Sequence, residues 1–210
     1  GPAFQDPLIL ASQFGSIYSE NFSLFLADRS RALGLADLET GALKQAKLIN
    51  PESVAVQASS ALFEFSQGNL EQAMEEYRQI LAKDPQNINA RIGLAAAAYS
   101  KHDIPSAIDV LESSSLSVSN VTVQSFLGLL YLEKNDTERG QQVLTTVAAN
   151  SNQTSLSAAF VAMSSYRLNS LNESEKFAQL ALKGAPGNIP MLKFLAEIAA
   201  TGEDHDDLTV

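Results

Sequence analysis

The sequence predicts an all-α fold, a solenoid of antiparallel helix hairpins, from two series of small residues that recur in step. The intervals in the first series are 34, 33 and 34 residues, and its members are Ala73, Ala107, Gly140 and Ser174. The second series keeps the same period, and its members are Ala61, Ala95, Gly128 and Ala162. Small side chains are needed where two helices cross closely. A period near ~34 residues with two helices per period is typical of stacked repeats.

Composition limits the class of protein. The 210 residues are 45% hydrophobic, which suits one sizeable domain or a short array. The net charge of −10 argues against nucleic acid and against anionic membrane surfaces as partners, since both need clustered Lys and Arg. The absence of cysteine excludes disulfides and thiolate metal sites, and it is compatible with cytoplasm and periplasm alike.

The N-terminal segment, residues 1–15, is expected to be an apolar leader that begins with a tag remnant. Gly1-Pro2 resembles a protease scar, so we expect the native N-terminus to have been trimmed. No signal peptide and no apolar run of the length needed to insert in a membrane follow. We expect the leader to pack on an end of the array, with its apolar side chains Phe4, Leu8, Ile9, Leu10 and Phe14.

Residues 16–53 predict a divergent first repeat. Apolar residues at helical spacing run from Ser16 to Leu33, and Gly34 ends that helix. A second helix, from about Asp37 to Ile49, is stopped by Asn50-Pro51. The order helix, turn, helix, proline is one repeat in outline.

The second helix of the next repeat is the clearest element of the chain. It runs from about Leu70 to Lys83, with an apolar stripe at helical spacing. Asn69 is a suitable N-cap, whose side chain would accept a hydrogen bond from a free backbone N–H of the first turn. Pro85 cannot continue the helix and also displaces Asp84 from helical geometry.

The period divides the rest of the chain into repeats 54–87, 88–120, 121–154 and 155–188. Pro105 lies just inside its helix, and Ser170 with Glu173 has the spacing of a capping box. Residues 189–201 predict a terminal helix that covers the last apolar face, and an acidic tail, 202–210, is expected to be disordered. The inter-helix turns are predicted at Gly68-Asn69, His102-Asp103, Asn135-Asp136 and Asn169-Ser170.

These residues resemble the tetratricopeptide repeat family. In residues 68–85 the family's turn, small residue, aromatic, apolar pair and closing proline are matched by Gly68-Asn69, Ala73, Tyr77, Ile80-Leu81 and Pro85. The resemblance implies a right-handed superhelix whose first helices line a concave groove where ligands bind. The chain departs from the family where the large aromatic of the first helix is replaced by Gln57, Arg91, Gln124 and Ala158.

The resemblance also implies which residues line the groove. These positions are mainly apolar, which favours the apolar face of a partner helix or a hydrophobic peptide. The polar clamp by which chaperone-binding members hold a peptide's terminal carboxylate is absent. In a second interpretation these residues are core, and in a third the leader or a second copy of the chain fills the groove. The expected contacts are Leu62, Phe65, Ile92, Tyr99, Leu129, Leu132, Met163 and Tyr166.

No arrangement of residues predicts catalysis, a metal site or a cofactor. His102 falls in a predicted turn, and His205 lies in the acidic tail, where solvation explains it. No phosphate-binding loop, zinc-ligand spacing or nucleophile elbow is present. We therefore expect a non-enzymatic scaffold or adaptor that binds a protein or peptide. In bacteria, such domains often serve secretion, pilus or envelope assembly. The alternative is a structural module that self-associates as a homo-oligomer.

Overall fold

The computed structural model of the protein describes residues 20–115 and 119–207, and side chains as far as residue 202. Within those ranges the secondary structure is helical, with eleven α-helices and no strand. They are α1 (Glu20–Ala32), α2 (Ala36–Ile49), α3 (Val54–Ser66), α4 (Leu70–Lys83), α5 (Ile88–Ser100), α6 (Ile104–Glu112), α7 (Val121–Glu133), α8 (Thr137–Ala148), α9 (Ser155–Arg167), α10 (Leu171–Gly184) and α11 (Ile189–Asp207). The predicted all-α fold is confirmed.

The helices form two compact units. The first unit ends at Lys101 and contains α1 to α5, and the second begins at His102 and contains α6 to α11. In both units each hairpin packs its two helices closely, as α3 on α4 and α9 on α10. The prediction of one continuous array over residues 16–201 stays a prediction.

In the second unit, two pairs of the predicted small residues lie where the helices of a hairpin cross, Ala162 with Ser174 and Gly128 with Gly140. The Ser174 hydroxyl donates to the Ala162 carbonyl oxygen at 2.8 Å, which joins α10 to α9. A methyl group placed on Gly140 would lie 3.3 Å from the Gly128 carbonyl oxygen and 2.6 Å from Leu132 Cγ. Larger side chains at these positions would force the two backbones apart.

The four predicted turns all contain one residue in the left-handed backbone region. Gly68 has φ of 80°, and His102, Asn135 and Asn169 have φ of 62°, 64° and 58°. Glycine and asparagine tolerate this conformation best, whereas histidine adopts it less readily. Each turn is three residues long, and the turns at Gly68, Asn135 and Asn169 join the two closely packed helices of a hairpin within one unit.

Asn69 and Ser170 hold the predicted N-cap positions, but the predicted side-chain cap bonds do not form. The Asn69 side chain accepts no bond from its helix, and its Nδ2 instead donates to Glu64 Oε2 at 2.7 Å. Ser170 also makes no side-chain cap bond, so the capping box with Glu173 does not form. A capping box is found instead at the start of the preceding helix, α9, where the side chains of Thr154 and Ser157 each accept a hydrogen bond from the other's backbone N–H.

The chain ends differ from expectation. Helix α11 continues to Asp207, so the prediction that the tail is disordered from residue 202 is wrong for residues 202–207. The first helix was predicted from Ser16, and its described part begins at Glu20. The predicted leader, residues 1–15, lies outside the described residues.

Candidate interaction surfaces

The first unit presents the expected apolar row on α3 and α5, two first helices that contact each other. Leu62 is 41% exposed, and Phe65, one helical turn further on, is half-buried. Ile92 and Tyr99 are also half-buried and lie seven residues apart, which places them on one face of α5. Four of the eight predicted contacts thus retain surface that a partner could cover.

In the second unit, Leu129 and Leu132 lie in the interior, with 1% and 5% of their surface exposed. Leu132 follows Gly128 by four residues, so both lie on the face of α7 that crosses α8. Its side chain occupies the space above Gly140. The structure therefore places Leu129 and Leu132 in the core instead of on an open groove.

The other two predicted contacts in the second unit lie on α9. Met163 is half-buried. Tyr166 packs edge-on against Phe194 of α11, with ring centroids 5.4 Å apart. The Tyr166 hydroxyl also lies 3.1 Å from Glu197 Oε1 and 3.3 Å from Thr201 Oγ1. Tyr166 thus docks the terminal helix.

Helix α7 is buried on nearly all sides, which the sequence analysis did not foresee. Phe126 of α7 and Phe160 of α9 stack with ring centroids 4.3 Å apart and an interplanar angle of 1°. The signal was available, because the sequence VTVQSFLGLLYLE has apolar residues around its whole circumference. A helix that is apolar all round belongs in the interior.

A polar cluster joins α6, α7 and α8. The Tyr131 hydroxyl donates to Glu112, and the Arg139 guanidinium lies over the Tyr131 ring, 4.6 Å from its centroid. Burial, followed by the hydrogen bond to Glu112, raises the pKa of Tyr131 to about 12. Arg139 Nε also donates to Asp136 at 2.5 Å, and this bond lowers the pKa of that carboxyl group. Every polar group named here has a partner, so the cluster is structural.

A cleft of about 310 Å³ opens between α2 and α3 in the first unit. Leu43 and Phe63 form its walls, while the exposed side chains of Lys44 and Leu48 stand at its rim. The cleft exists because α2 packs closely on α1 and only loosely on α3. No local pattern in the sequence predicts it.

A second cavity, of about 210 Å³, adjoins the cleft and shares Lys47 and Ser60 with it. The Ser60 hydroxyl donates to Glu76 Oε1 at 3.0 Å, and Lys47 Nζ lies 3.5 Å from the same oxygen. Among the described residues, Glu76 Oε2 and Gln57 Oε1 are buried without a hydrogen-bond partner. This polar cavity therefore contains two acceptors that lack a donor.

Among the described side chains, those of residues 20–115 and 119–202, no metal cluster is found, and none of the described helices is a membrane helix. No three side chains of His, Asp or Glu converge there as ligands of an ion. None of the described helices combines the length and the apolar character that crossing a membrane requires. The acidic cluster around His205 lies beyond the described side chains.

The family model of the tetratricopeptide repeat matches residues 64–120. This region covers the turn, helix and closing proline on which the sequence resemblance rests. No curated protein sequence matches the chain.

Solved structures share the fold over most of the chain. A thermophilic TPR protein of Thermus thermophilus is 18% identical, with a TM-score of 0.69, over 87% of this chain and 100% of its own. A chain from the APC/C hetero-tetramer Cut9-Hcn1 is 14% identical, with a TM-score of 0.64, over 92% of this chain and 39% of its own length. PilF of Pseudomonas aeruginosa is 21% identical, with a TM-score of 0.60, over 89% of this chain and 86% of its own length. At these identities the similarity shows the fold, an all-α solenoid.

Proposed function

Because this chain is a tetratricopeptide repeat protein, by sequence at residues 64–120 and by fold over most of its length, we propose that it is a non-enzymatic adaptor. Tetratricopeptide repeats generally act as scaffolds for protein–protein interaction. The proposed partner is the apolar face of a helix or a hydrophobic peptide. It would bind the α3 and α5 row in the first unit, at Leu62, Phe65, Ile92 and Tyr99. Met163, in the second unit, is a separate candidate contact.

The exposure of Leu62 is the observation that carries this proposal. A leucine with 41% of its surface exposed, in line with three half-buried apolar residues, leaves area that a partner would bury. Burying the two fifths of the side chain that remains exposed is worth about 0.6–1.2 kcal/mol, which is roughly a threefold to eightfold change in affinity. Leu129, Leu132 and Tyr166 contribute only indirectly, since they support the helices that carry the surface.

Assembly of a larger complex is part of the proposal. Cut9-Hcn1, which shares the fold, is a hetero-tetramer within the APC/C. Secretion, pilus and envelope machinery are the bacterial settings that the family resemblance implies. The chain's net charge of −10 favours protein partners over nucleic acid.

The test is capture of partners on immobilised protein, comparing the wild type with Leu62→Glu, Ile92→Glu and the double variant. We expect the double variant to lose captured protein at least about tenfold, because a carboxylate replaces apolar contact. Leu180→Glu is the matched control, since Leu180 is an exposed leucine on the second helix α10. Circular dichroism establishes that each variant is folded.

Two outcomes would contradict the proposal. Equal capture by the wild type and the double variant would move the interaction away from α3 and α5. A dimer in light scattering that Leu62→Glu dissociates would support the alternative, a self-associating module. Repeating the measurement without residues 1–15 would show whether the leader fills the surface.

A further inference from the structure

The cleft between α2 and α3 arises at the junction of the first and second repeats, and the next junction in the same unit shows what is missing there. A shift of 34 residues brings α2 and α3 onto α4 and α5, whose first residues are Leu70 and Ile88. Four large apolar residues of the second junction are thereby matched to smaller or polar ones in the first. The pairs are Met74 with Thr40, Tyr77 with Leu43, Leu81 with Lys47 and Leu94 with Ser60.

Tyr77 closes the second junction. Its side chain is 6% exposed, and its ring lies so close to Gly93 that a methyl group added there would be 2.6 Å from ring carbon Cε1. The residues in the matching positions of the first junction are Leu43 and Ser59. Leucine is shorter than tyrosine, and in this junction the cleft opens beside Leu43 where the second junction is filled by the Tyr77 ring.

The polar cavity adjoins this space at Lys47 and Ser60, the two residues that also line the cleft. It offers a hydrogen-bond acceptor without a donor, Glu76 Oε2, and a donor group, Lys47 Nζ. A buried acceptor that lacks a partner destabilises the protein until a donor group reaches it. A side chain that suits both the cleft and the polar cavity has an apolar body and a polar tip that can donate and accept hydrogen bonds.

We propose that this cleft is a second binding site, separate from the α3 and α5 row, that takes a tyrosine side chain from an extended segment of a partner protein. The ring lies between Leu43 and Phe63, as Tyr77 fills the equivalent space one repeat later. The hydroxyl donates to Glu76 Oε2 and accepts from Lys47 Nζ. Phenylalanine lacks this tip, and tryptophan can donate but not accept.

The test uses the full 210-residue chain, isotope-labelled, with N-acetyl-tyrosinamide and N-acetyl-phenylalaninamide as probes in NMR titrations. We expect the tyrosine probe to shift the amide signals of Lys47, Ser60 and Phe63 and to bind at least tenfold more tightly than the phenylalanine probe. Glu76→Gln should remove most of that tenfold preference and leave binding of the phenylalanine probe unchanged.

A cleft-filling variant provides a second arm. Leu43→Tyr with Ser59→Gly transfers the Tyr77 and Gly93 arrangement into the first junction, and it should abolish the shifts without unfolding the chain. Ser60→Leu fills the same space from α3 and serves if the double variant does not fold. Leu62→Glu, which tests the adaptor surface, should leave the titration unchanged, so the two proposals fail independently.

Several results would overturn the tyrosine site. They are equal binding of the two probes, shifts confined to other residues, or shifts that persist in the filled variants. Binding that appears only after residues 1–15 are removed would assign the cleft to the chain's own leader. A dimer that the filled variants dissociate would assign it to a second copy.

Discussion

Glycine at one position decides how closely two repeats can approach. Gly93 lies on α5 directly under the buried ring of Tyr77, and the two residues together close the junction between α4 and α5. Gly202 lies on α11 with open space around it. The same substitution should therefore have opposite effects at the two positions.

We expect Gly93→Ala to lower the free energy of unfolding by about 1–3 kcal/mol, because the added methyl group displaces the Tyr77 ring. Gly202→Ala is the matched control and should raise that free energy by up to about 1 kcal/mol, since alanine favours a helix. Urea denaturation measures both values. A stable Gly93→Ala variant would mean that the ring moves aside without cost.

Tyr131 should make stability fall at high pH. Its pKa is raised to about 12 in the folded chain, whereas the unfolded chain loses the proton near pH 10. The folded state thus holds the proton more tightly, and its advantage is complete below pH 10 and disappears as the pH rises through 12. Burial also raises the pKa of Tyr77, which adds to the same slope.

We expect Tyr131→Phe to flatten the decline in unfolding free energy between pH 10 and 12. Phenylalanine keeps the ring under Arg139 but has no proton to lose. Denaturation in urea at several pH values measures the slope, and the remaining decline reports Tyr77. Identical slopes for the two proteins would contradict the role given to Tyr131.

At the scale of the helix, the N-terminal ends differ in whether a side chain accepts a hydrogen bond from a free backbone N–H of the first turn. Asn87 accepts a bond from the Ala90 backbone N–H at 3.0 Å and so caps α5. Asn69 precedes α4 in the same way along the sequence, yet its side chain turns back to Glu64. Since both residues are asparagine before a first helical turn, they form a natural pair for comparison.

Asn87→Ala should therefore cost about 1 kcal/mol of unfolding free energy, because a backbone N–H of α5 loses its acceptor. Asn69→Ala should cost less, since it removes only an exposed side-chain bond. Urea denaturation of the two variants gives the comparison. An equal cost would show that the Asn69 side chain caps α4 in solution.

At the scale of the whole molecule, apolar burial stabilises the repeats more than charge does. Ion pairs between neighbouring elements, such as Lys83 with Glu52 and Arg167 with Glu133, are partly exposed. Exposed pairs of this kind contribute roughly 0–1 kcal/mol. The two proposed sites follow from the same principle, because each is a place where the repeats leave apolar surface uncovered.

The sequence alone determined the helices, the turns and the period. Helix α4 begins and ends at the predicted residues, and the left-handed turns fall at Gly68, His102, Asn135 and Asn169 as expected. These features depend on residues close together in the chain, on helical spacing and on turn preference. The helix crossings at Gly128 with Gly140 and at Ala162 with Ser174 were also predictable, because these small residues recur at the period of the repeat.

Only the tertiary structure decided which faces are covered. Leu62 and Phe65 lie one helical turn apart on α3, yet Leu62 is exposed and Phe65 is half-buried, because burial depends on the side chains of neighbouring helices. The Tyr166 ring packs against Phe194 of α11, a contact that no local pattern near residue 166 reveals. The cleft between α2 and α3 likewise appears only in the packed structure, since packing at a junction is a property of two repeats together.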